Sequence, residues 1–275
     1  MNVAEELKKA RAGGYAVGAF NTANLEVTKA ICAATAKFNG APILIQTTPS
    51  AIEYAGLKTL YDIVTNEIQS SGINAAIHLD HAKEFNIIKD AIEIGYKSVM
   101  FDGSALPFEE NILWTGRVVE LARKNDVAVE AEVGFIGHEE GGRVSGSSKL
   151  SEPSQIKRFI DETGIDSVAV SVGNEHGAPE GEKVNFEVLK HIADVISIPL
   201  VMHGSSGLSD GDIREAMALG VAKFNIDTNI RRAFSSSIEH SNEDDYRKAL
   251  EEGIVEVEKV VERYIKLFTD GIFVK

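Results

Sequence analysis

The 275-residue chain is 44% hydrophobic and 25% charged, a composition that indicates a folded globular protein and excludes a disordered one. Its formal net charge of −14 argues against a surface for nucleic acid or anionic membranes, because either needs clustered Lys and Arg. The sequence contains no apolar run of about 18 residues, so it predicts no membrane span. Its polar first residues predict no signal peptide, and its single cysteine, Cys32, allows no internal disulfide. We therefore expect a cytoplasmic protein.

Short apolar, β-branched runs recur along the chain, and each is followed by a polar or glycine-rich corner and then by a helical pattern. Helical segments such as "EFNIIKDAIEIG" and "DIREAMALG" carry apolar residues at i, i+3, i+4 and i+7. The predicted strands, in chain order, are residues 16–21, 42–47, 75–80, 98–103, 127–134, 167–173, 199–204 and 223–228. The sequence therefore predicts eight strands that alternate with helices.

This alternation, without a Pro- or Ser-rich linker, favours an α/β (β/α)8 TIM barrel that forms a single domain over residues 1–275. An open dinucleotide-binding sheet would carry a GxGxxG fingerprint after its first strand, and "AFNTANLE" has none. We expect an extra N-terminal helix at residues 3–12 that covers the bottom of the barrel, and a C-terminal helix over "EVEKVVERYIKLF". The glycine-rich segment at about 135–150 predicts a mobile lid loop.

The chemistry of such barrels lies at the carboxyl ends of their strands. The polar residues predicted there are Asp80 and His81 on strand three, Asp102 on strand four, Glu130 and Glu132 on strand five, His176 after strand six, His203 on strand seven, and Asn225, Asp227 and Thr228 on strand eight. Three of the chain's seven histidines thus reach one rim from well-separated strands.

His81, His176 and His203, with Glu132 nearby, suit a divalent transition metal, because imidazoles and a carboxylate are ligands that such metals prefer. A single histidine at a strand end more often caps a loop, but three on one rim favour a metal site. The other histidines are not assigned to the metal: His78 is predicted to pack in the interior, His138 lies in the predicted lid, and His191 and His240 are predicted on the surface.

Two other chemistries fit the sequence less well than a Lewis-acid metal does. A zinc hydrolase on this fold usually places HxH on one strand, and the first strand has no histidine. A Schiff-base enzyme needs a desolvated lysine on the catalytic rim. Lys83 is the nearby candidate, because Lys223 is predicted to begin its strand and so to face the wrong end. Lewis-acid chemistry is therefore favoured.

The segment "HGSSGLSDGDI" places Gly204, Ser205 and Ser206 between strand seven and a helix. Barrels of this kind bind phosphate at this position through backbone N–H groups, hydroxyls and helix N-termini. An ordinary strand-to-helix turn also favours Gly and Ser, so the loop alone is weak evidence. The position of the loop next to His203, a candidate metal ligand, strengthens the interpretation as a phosphate site. Backbone amide dipoles can hold an anion, so an acidic protein needs no basic surface for this purpose.

The motifs "HLDHA", "MFDGSALPFEENI", "VEAEVG", "HGSSG" and "NIDT", with "HG" at 176–177, closely resemble in this order the class II, metal-dependent ketose-bisphosphate aldolases. The resemblance runs from about residue 13 to about residue 268. It implies a (β/α)8 barrel that binds Zn²⁺, with a second divalent or monovalent cation in some members. It also implies a phosphorylated sugar substrate and a homodimer or homotetramer.

The resemblance also implies a role for each matching residue. Asp80 matches the catalytic proton donor and acceptor, and Asp102 falls where some members hold a second cation. Glu132 matches a carboxylate on the metal or on an alternative metal position. The zinc ligands would be His81, His176 and His203. The residues that hold dihydroxyacetone phosphate would be Gly177, Gly204, Ser205, Ser206, Asn225, Ile226, Asp227 and Thr228, with Thr48 where many fructose-type members have Ser.

The expected reaction is reversible cleavage of a ketohexose 1,6-bisphosphate, with fructose 1,6-bisphosphate as the first candidate. Asp80 would remove the C4 hydroxyl proton, and a lid carboxylate, Glu139 or Glu140, would protonate the enediolate carbon. These two glutamates could instead lie in a solvated loop. The alternatives are a tagatose-bisphosphate aldolase, a metal-dependent epimerase and a non-catalytic barrel that binds metal or sugar phosphate. The segment "TTP" resembles tagatose-type members and "NIDT" resembles fructose-type members, so the sugar stays open. The chain also departs from the family pattern at Asn174, Glu175 and Ser205.

The adjacent pair Asp80-His81 raises a geometric question. Strict alternation along a strand points neighbouring side chains to opposite faces of the sheet. If both residues serve one site, the strand must bend or end between them. We therefore expect an irregularity in the backbone at this point.

Overall fold

The computed structural model describes residues 1–134, 152–173 and 184–273, together with the backbone of residues 138–140 and 143–145. These last two segments pair as an antiparallel ribbon, His138–Glu140 with Arg143–Ser145. Most of the predicted lid at about 135–150, and residues 174–183, lie outside the described residues.

Within the described residues, eight parallel strands close into a barrel. They are β1 (Val17–Asn21), β2 (Ile43–Thr47), β3 (Ala75–Ala82), β4 (Ser98–Phe101), β5 (Ala128–Val133), β8 (Ser167–Val170), β9 (Leu200–Met202) and β10 (Val221–Ile226), while β6 and β7 form the ribbon. Around the barrel each strand pairs with the next in chain order, and β10 pairs with β1. The predicted (β/α)8 barrel is confirmed, with strand ends shifted by a few residues.

The helices after the first follow barrel strands and pack around the barrel, whereas the first helix precedes β1. In chain order the helices are α1 (Val3–Gly13), α2 (Leu25–Thr35), α3 (Pro49–Ala55), α4 (Leu57–Ser71), α5 (Phe85–Ile94), α6 (Phe108–Arg123), α7 (Pro153–Thr163), α8 (Phe186–Val195), α9 (Asp210–Ala218), α10 (Thr228–Glu239) and α11 (Tyr246–Thr269). Local chemistry sets their ends: Ser209 and Asp212 form a capping box at the start of α9, and Gly95 ends α5 with φ +118°. In the described part of the chain, none of these helices combines the length and apolarity that crossing a membrane requires.

The extra N-terminal helix closes the bottom of the barrel, as predicted. Val3, Leu7 and Ala10 of α1 are buried in one cluster with residues from the barrel strands. The strand members of this cluster are mainly small: Val17, Ala19, Leu44, Ala76, Ala128 and Ala222. Small side chains at this level leave room for the helix to pack across the end of the barrel.

Alternation along the strands separates two environments. Ile77 and Leu79 of β3 belong to the large core cluster between strands and helices. The intervening residues Ala76, His78 and Asp80 are buried but lie outside that cluster. Because residues at i, i+2 and i+4 line one face of a strand, this second set points into the barrel. The barrel interior therefore changes from small apolar residues near α1 to polar residues toward the carboxyl ends of the strands.

Candidate active site

The backbone at Asp80 and His81 is irregular, as the sequence predicted. His81 has φ +50°, in the left-handed region that non-glycine residues seldom adopt. The pairing of β3 with β4 shifts register between Leu79 and Ala82. Such a bulge re-aims side chains, so the two neighbours need not point to opposite faces. The local strain at His81 thus brings its imidazole to the same site as the Asp80 carboxylate.

The Asp80 carboxylate is buried and held by two amide side chains from other strands. Asn225 Nδ2 donates to Asp80 Oδ1 at 3.0 Å, and Gln46 Nε2 donates to Asp80 Oδ2 at 3.1 Å. Burial by itself would raise the pKa of Asp80, but nearby positive charges, His81 first among them, hold that pKa below its ordinary value. Asp80 is therefore an anion at neutral pH and is able to accept a proton.

Three side chains form a group that suits a metal ion. Ligand atoms of Asp80, His81 and His203 all lie within 4.8 Å of one another. The rings of His81 and His203 meet edge to face, with centroids 4.5 Å apart. Two imidazoles and a carboxylate at this spacing are a donor set that divalent transition metals accept. The described residues therefore fit a metal at the position where the sequence placed His81 and His203.

His81 is oriented from its other side by Asp102. His81 Nδ1 lies 3.5 Å from Asp102 Oδ2, and Ser104 Oγ donates to Asp102 Oδ1 at 2.6 Å. Burial would lower the pKa of His81, but the charge of Asp80 and the bond to Asp102 raise it above its ordinary value. Asp102 thus lies beside a candidate metal ligand, in the position of an outer residue that orients it.

His203 lies between two glutamates of β5 and is fully buried. Its Nε2 lies 2.9 Å from Glu130 Oε1, and its Nδ1 lies 3.5 Å from Glu132 Oε2. Although burial opposes a charged imidazole, the bonds to Glu130 and Glu132 raise the pKa of His203 to about 10. The predicted neighbour Glu132 is therefore placed at the site, next to His203.

The expectation for Lys223 is wrong. β10 begins at Val221, so Lys223 lies within the strand rather than at its start, and it is fully buried. Its Nζ lies 2.7 Å from Glu130 Oε2 and 3.4 Å from His78 Nε2. Lys223 Nζ would have to leave Glu130 before it could attack a carbonyl carbon. Lys83, the other lysine considered, is exposed and so lacks the desolvation that a Schiff-base lysine needs.

The loop after β9 places Gly204, Ser205 and Ser206 in a tight turn at the carboxyl end of that strand. Gly204 has φ +65° and leads into a 3₁₀ turn over Ser205–Gly207. Ser205 is buried, and its hydroxyl donates to Met202 O at 2.9 Å. Ser206 is partly exposed, and Asn229 Nδ2 donates to its carbonyl at 3.0 Å. The Ser205 hydroxyl therefore serves the loop itself, and Ser206 is the more accessible of the two residues.

The residues after β10 divide between the site and the helix start. Asn225 contacts Asp80, while Ile226 is a fully buried core residue. Asp227 precedes α10, which begins at Thr228, and its Oδ2 accepts from Arg231 Nε at 2.8 Å. Burial raises the pKa of Asp227 more than Arg231 lowers it. Further along the rim, Thr48 caps the start of α3 by accepting from Ala51 N at 3.2 Å.

Other predicted site residues cannot be placed. His176 and Gly177 lie outside the described residues, and Glu139 and Glu140 are described by their backbone in β6 alone. Of the remaining histidines, His78 is an interior residue as expected, with Nδ1 2.8 Å from Ser98 Oγ. His191 and His240 are exposed, also as expected.

Sequence reasoning missed Gln46 and misplaced Lys223. Gln46 is the fourth residue of β2, and a polar residue inside the apolar run "PILIQT" was the available signal. Lys223 gave a similar signal, because a lysine that precedes "FNI" in a buried strand needs a partner. A charged or amide side chain within an otherwise apolar barrel strand thus indicates a polar interior layer.

Comparisons with known proteins extend over nearly the whole chain. The family model described as "Fructose-bisphosphate aldolase class-II" matches residues 1–271. A fructose-bisphosphate aldolase from Streptococcus pyogenes is 43% identical over 283 aligned positions, with 95% of each chain covered. One from Streptococcus pneumoniae is 40% identical over 282 positions, again with 95% of each covered. The crystal structure of the YdjI aldolase from Escherichia coli K12 gives a TM-score of 0.86 at 30% identity, covering 98% of this chain and 96% of that one.

Proposed function

This chain belongs to the class II fructose-bisphosphate aldolase family, and from that premise we propose that it cleaves fructose 1,6-bisphosphate reversibly. The products are dihydroxyacetone phosphate and glyceraldehyde 3-phosphate. The observation that carries the proposal is the buried Asp80 carboxylate, held by two amides beside His81 and His203. An anion fixed in this way next to a metal-binding group is suited to metal-assisted cleavage of a carbon–carbon bond in a ketose.

The polar groups around Asp80 support hydroxyl binding. The side-chain oxygens Gln46 Oε1 and Asn225 Oδ1 are buried, and neither has a hydrogen-bond partner in the part of the chain that the structure describes. Buried acceptors of this kind cost free energy unless a ligand donates to them. We infer that the hydroxyls of the sugar donate to these oxygens when the substrate binds. The substrate hydroxyl that reacts is then guided to Asp80.

In the cleavage direction Asp80 accepts the proton of the C4 hydroxyl. The C3–C4 bond breaks, C4 becomes the aldehyde carbon, and the bonding electron pair passes to C3. A proton delivered to C3 completes dihydroxyacetone phosphate, and Glu139 or Glu140 is the proposed donor. When bound by His81, His176 and His203, with Glu132 nearby, Zn²⁺ supplies Lewis-acid polarisation of the ketose carbonyl. The role of Asp102 in this scheme is to orient His81 or to hold a second cation.

The phosphate group is assigned to the glycine- and serine-rich loop and the start of α10. Backbone N–H groups at Gly204–Ser206, the Ser206 hydroxyl and the Thr228 helix start would hold the oxygens. The proposal further includes Gly177, Asp227 and Thr48 as substrate contacts. We also propose a cytoplasmic single-domain enzyme over residues 1–275, with a lid at about 135–150, that assembles as a homodimer or homotetramer.

The test is an aldol-cleavage assay with metal removal and return. Cleavage of fructose 1,6-bisphosphate, followed by the appearance of triose phosphate, should disappear after chelator treatment and return with Zn²⁺. Full activity in the presence of chelator would contradict the metal mechanism. So would borohydride trapping of substrate on Lys83 or Lys223, because that trapping requires a Schiff base.

Parallel assays separate the competing functions. Tagatose 1,6-bisphosphate differs from the fructose substrate only in configuration at C4, so faster cleavage of it would reassign the sugar. Exchange between the two sugars without triose phosphate would indicate an epimerase. Binding of fructose 1,6-bisphosphate without either reaction would indicate a non-catalytic barrel.

A further inference from the structure

A buried ion pair lies directly below the candidate active site. Lys223 of β10 and Glu130 of β5 are both at most 1% exposed, and their charged atoms are 2.7 Å apart. The two strands are separated by β8 and β9 in the barrel, so the pair spans the barrel interior. Barrel interiors are usually filled by branched apolar residues. A charged pair at this position therefore calls for a reason other than packing.

Stability is a poor reason, because a buried ion pair costs desolvation that its attraction often fails to recover. The contacts of Glu130 indicate another one. One oxygen, Oε2, accepts from Lys223 Nζ, and the other, Oε1, lies 2.9 Å from His203 Nε2. Because Lys223 Nζ donates to one oxygen of Glu130 at 2.7 Å, Glu130 bonds as a carboxylate and its other oxygen accepts as well. His203 Nε2 must then carry the hydrogen of that bond.

An imidazole that binds a metal has lost one of its two ring protons, so it has one N–H and one lone pair. If Nε2 carries the hydrogen, Nδ1 carries the lone pair that a metal needs. His203 Nδ1 is the nitrogen on the side of Glu132, 3.5 Å from its Oε2. The Lys223–Glu130 pair thus selects both the tautomer and the ring orientation of His203 from below the site.

We propose that Lys223 and Glu130 are positioning residues that present His203 Nδ1 to the metal, with Glu130 bonding to the ring and Lys223 holding Glu130. This rests on the proposed function, in which His203 is a metal ligand. Neither residue touches the substrate in this arrangement. Outer residues of this kind typically change metal affinity by about 10–100-fold when they are replaced.

The experiment is a double-mutant cycle read out by metal affinity rather than by activity. Zn²⁺ dissociation constants of the full chain and of Glu130→Gln, Lys223→Met and the double variant are measured by competition with a chromophoric chelator. Glu130→Gln should weaken Zn²⁺ binding by about 10–100-fold. Lys223→Met should weaken it when Glu130 is present and add little when Glu130 is already replaced, because both act through one imidazole.

A matched control removes a buried hydrogen bond elsewhere in the same barrel. Tyr96 and Thr47 are buried, with their hydroxyl oxygens 3.0 Å apart, and neither contacts His203 in the hydrogen bonds described. Tyr96→Phe should bind Zn²⁺ as tightly as the unmodified protein. If Tyr96→Phe and Glu130→Gln weakened binding equally, the effect would come from general loosening of the barrel and the proposal would be overturned.

A second measurement needs no variant and so remains decisive if a variant fails to fold. A crystal structure of the Zn²⁺-loaded full chain should show the metal on His203 Nδ1, with Nε2 still bonded to Glu130. Metal on Nε2 would overturn the inference. If Glu130→Gln changed the Zn²⁺ dissociation constant by less than threefold while the unmodified protein bound Zn²⁺ and cleaved substrate, this inference would be overturned and the proposed function would stand. An unmodified protein that bound no Zn²⁺ would overturn the proposed metal mechanism as well.

Discussion

The lower and upper levels of the barrel interior are built from the same strands but have opposite chemistry. In β3 the interior positions run from Ala76 through His78 to Asp80, and in β5 they run from Ala128 through Glu130 to Glu132. The lower level packs against α1 and contains small apolar residues. The upper level contains charged groups that are paired with one another. Both β3 and β5 thus carry a packing residue followed by polar residues at intervals of two positions.

This difference shows how one strand can serve stability and chemistry together. At the lower level the contribution is burial of apolar surface, which depends on volume and shape. At the upper level every polar atom needs a partner, so orientation is fixed by hydrogen bonds. Substitutions at the lower level should therefore change the free energy of unfolding, and those at the upper level should change metal binding or turnover.

The largest effect is expected at the top of the upper level. Asp80→Ala removes the proposed acid–base group and should lower kcat for fructose 1,6-bisphosphate cleavage by roughly 10²–10⁴-fold. Steady-state assays with saturating Zn²⁺ measure this. Asp166→Ala is the matched control, because Asp166 Oδ2 accepts from Val129 N at 2.8 Å before β8 begins, at the other end of the barrel. A loss of kcat below threefold in Asp80→Ala would remove Asp80 from its role.

The lower level should respond in free energy of unfolding instead. Leu44 is fully buried in the cluster under α1. Leu44→Ala leaves a cavity there and should lower the free energy of unfolding by about 2–5 kcal/mol. Urea denaturation measures this change, and kcat per folded molecule should stay within about threefold. A fall in kcat without loss of stability would show that the two levels are coupled.

Much of this architecture could be predicted from the sequence, because it depends on period and order. Eight apolar runs with helical patterns between them predict the closed barrel, and polar residues at strand ends predict Asp80, His81 and His203 on one rim. The conflict between alternation and a shared site predicted a backbone irregularity at Asp80-His81, where His81 has φ +50°. These are consequences of local spacing.

The polar contacts across the barrel could not be predicted in the same way. Which residues of β2, β5 and β10 lie at the same height depends on strand register, and register depends on tertiary packing. Lys223 was therefore assigned to the wrong end, although its ammonium lies 2.7 Å from Glu130. The bond from the Ser205 hydroxyl to Met202 O was likewise not predicted, because it depends on the shape of the turn. Long-range hydrogen bonds need coordinates.

Gln46 tests whether the amides on Asp80 set its charge. Gln46→Leu removes a donor to Asp80 Oδ2, and a hydrogen bond to a charged group contributes about 1.5–3 kcal/mol. Loss of a bond to the anion raises the pKa of Asp80. The acidic limb of the kcat/KM profile should move to higher pH. Gln69→Leu, on the exposed side of α4, is the control, and coincident profiles for the two variants would exclude this role for Gln46.

The smallest effect is expected at His78, between the two levels. Burial, and then the charge of Lys223, lowers the pKa of His78 to about 3. In the unfolded chain a histidine has a pKa near 6.5, so between pH 6.5 and about 3 the unfolded state binds a proton that the folded state does not. His78 therefore contributes stability above pH 6.5, and that contribution is lost as the pH falls. From pH 7 to pH 5 the loss amounts to about 2 kcal/mol.

His78→Gln should lose less stability than the unmodified protein over that range, as measured by urea denaturation. His191→Gln, which removes an exposed imidazole, should follow the unmodified protein. If His78→Gln lost as much stability as the unmodified protein over this range, His78 would be protonated in the folded barrel. That result would contradict the hydrogen bonds described, in which Lys223 and Ser98 occupy the two ring nitrogens of a neutral His78.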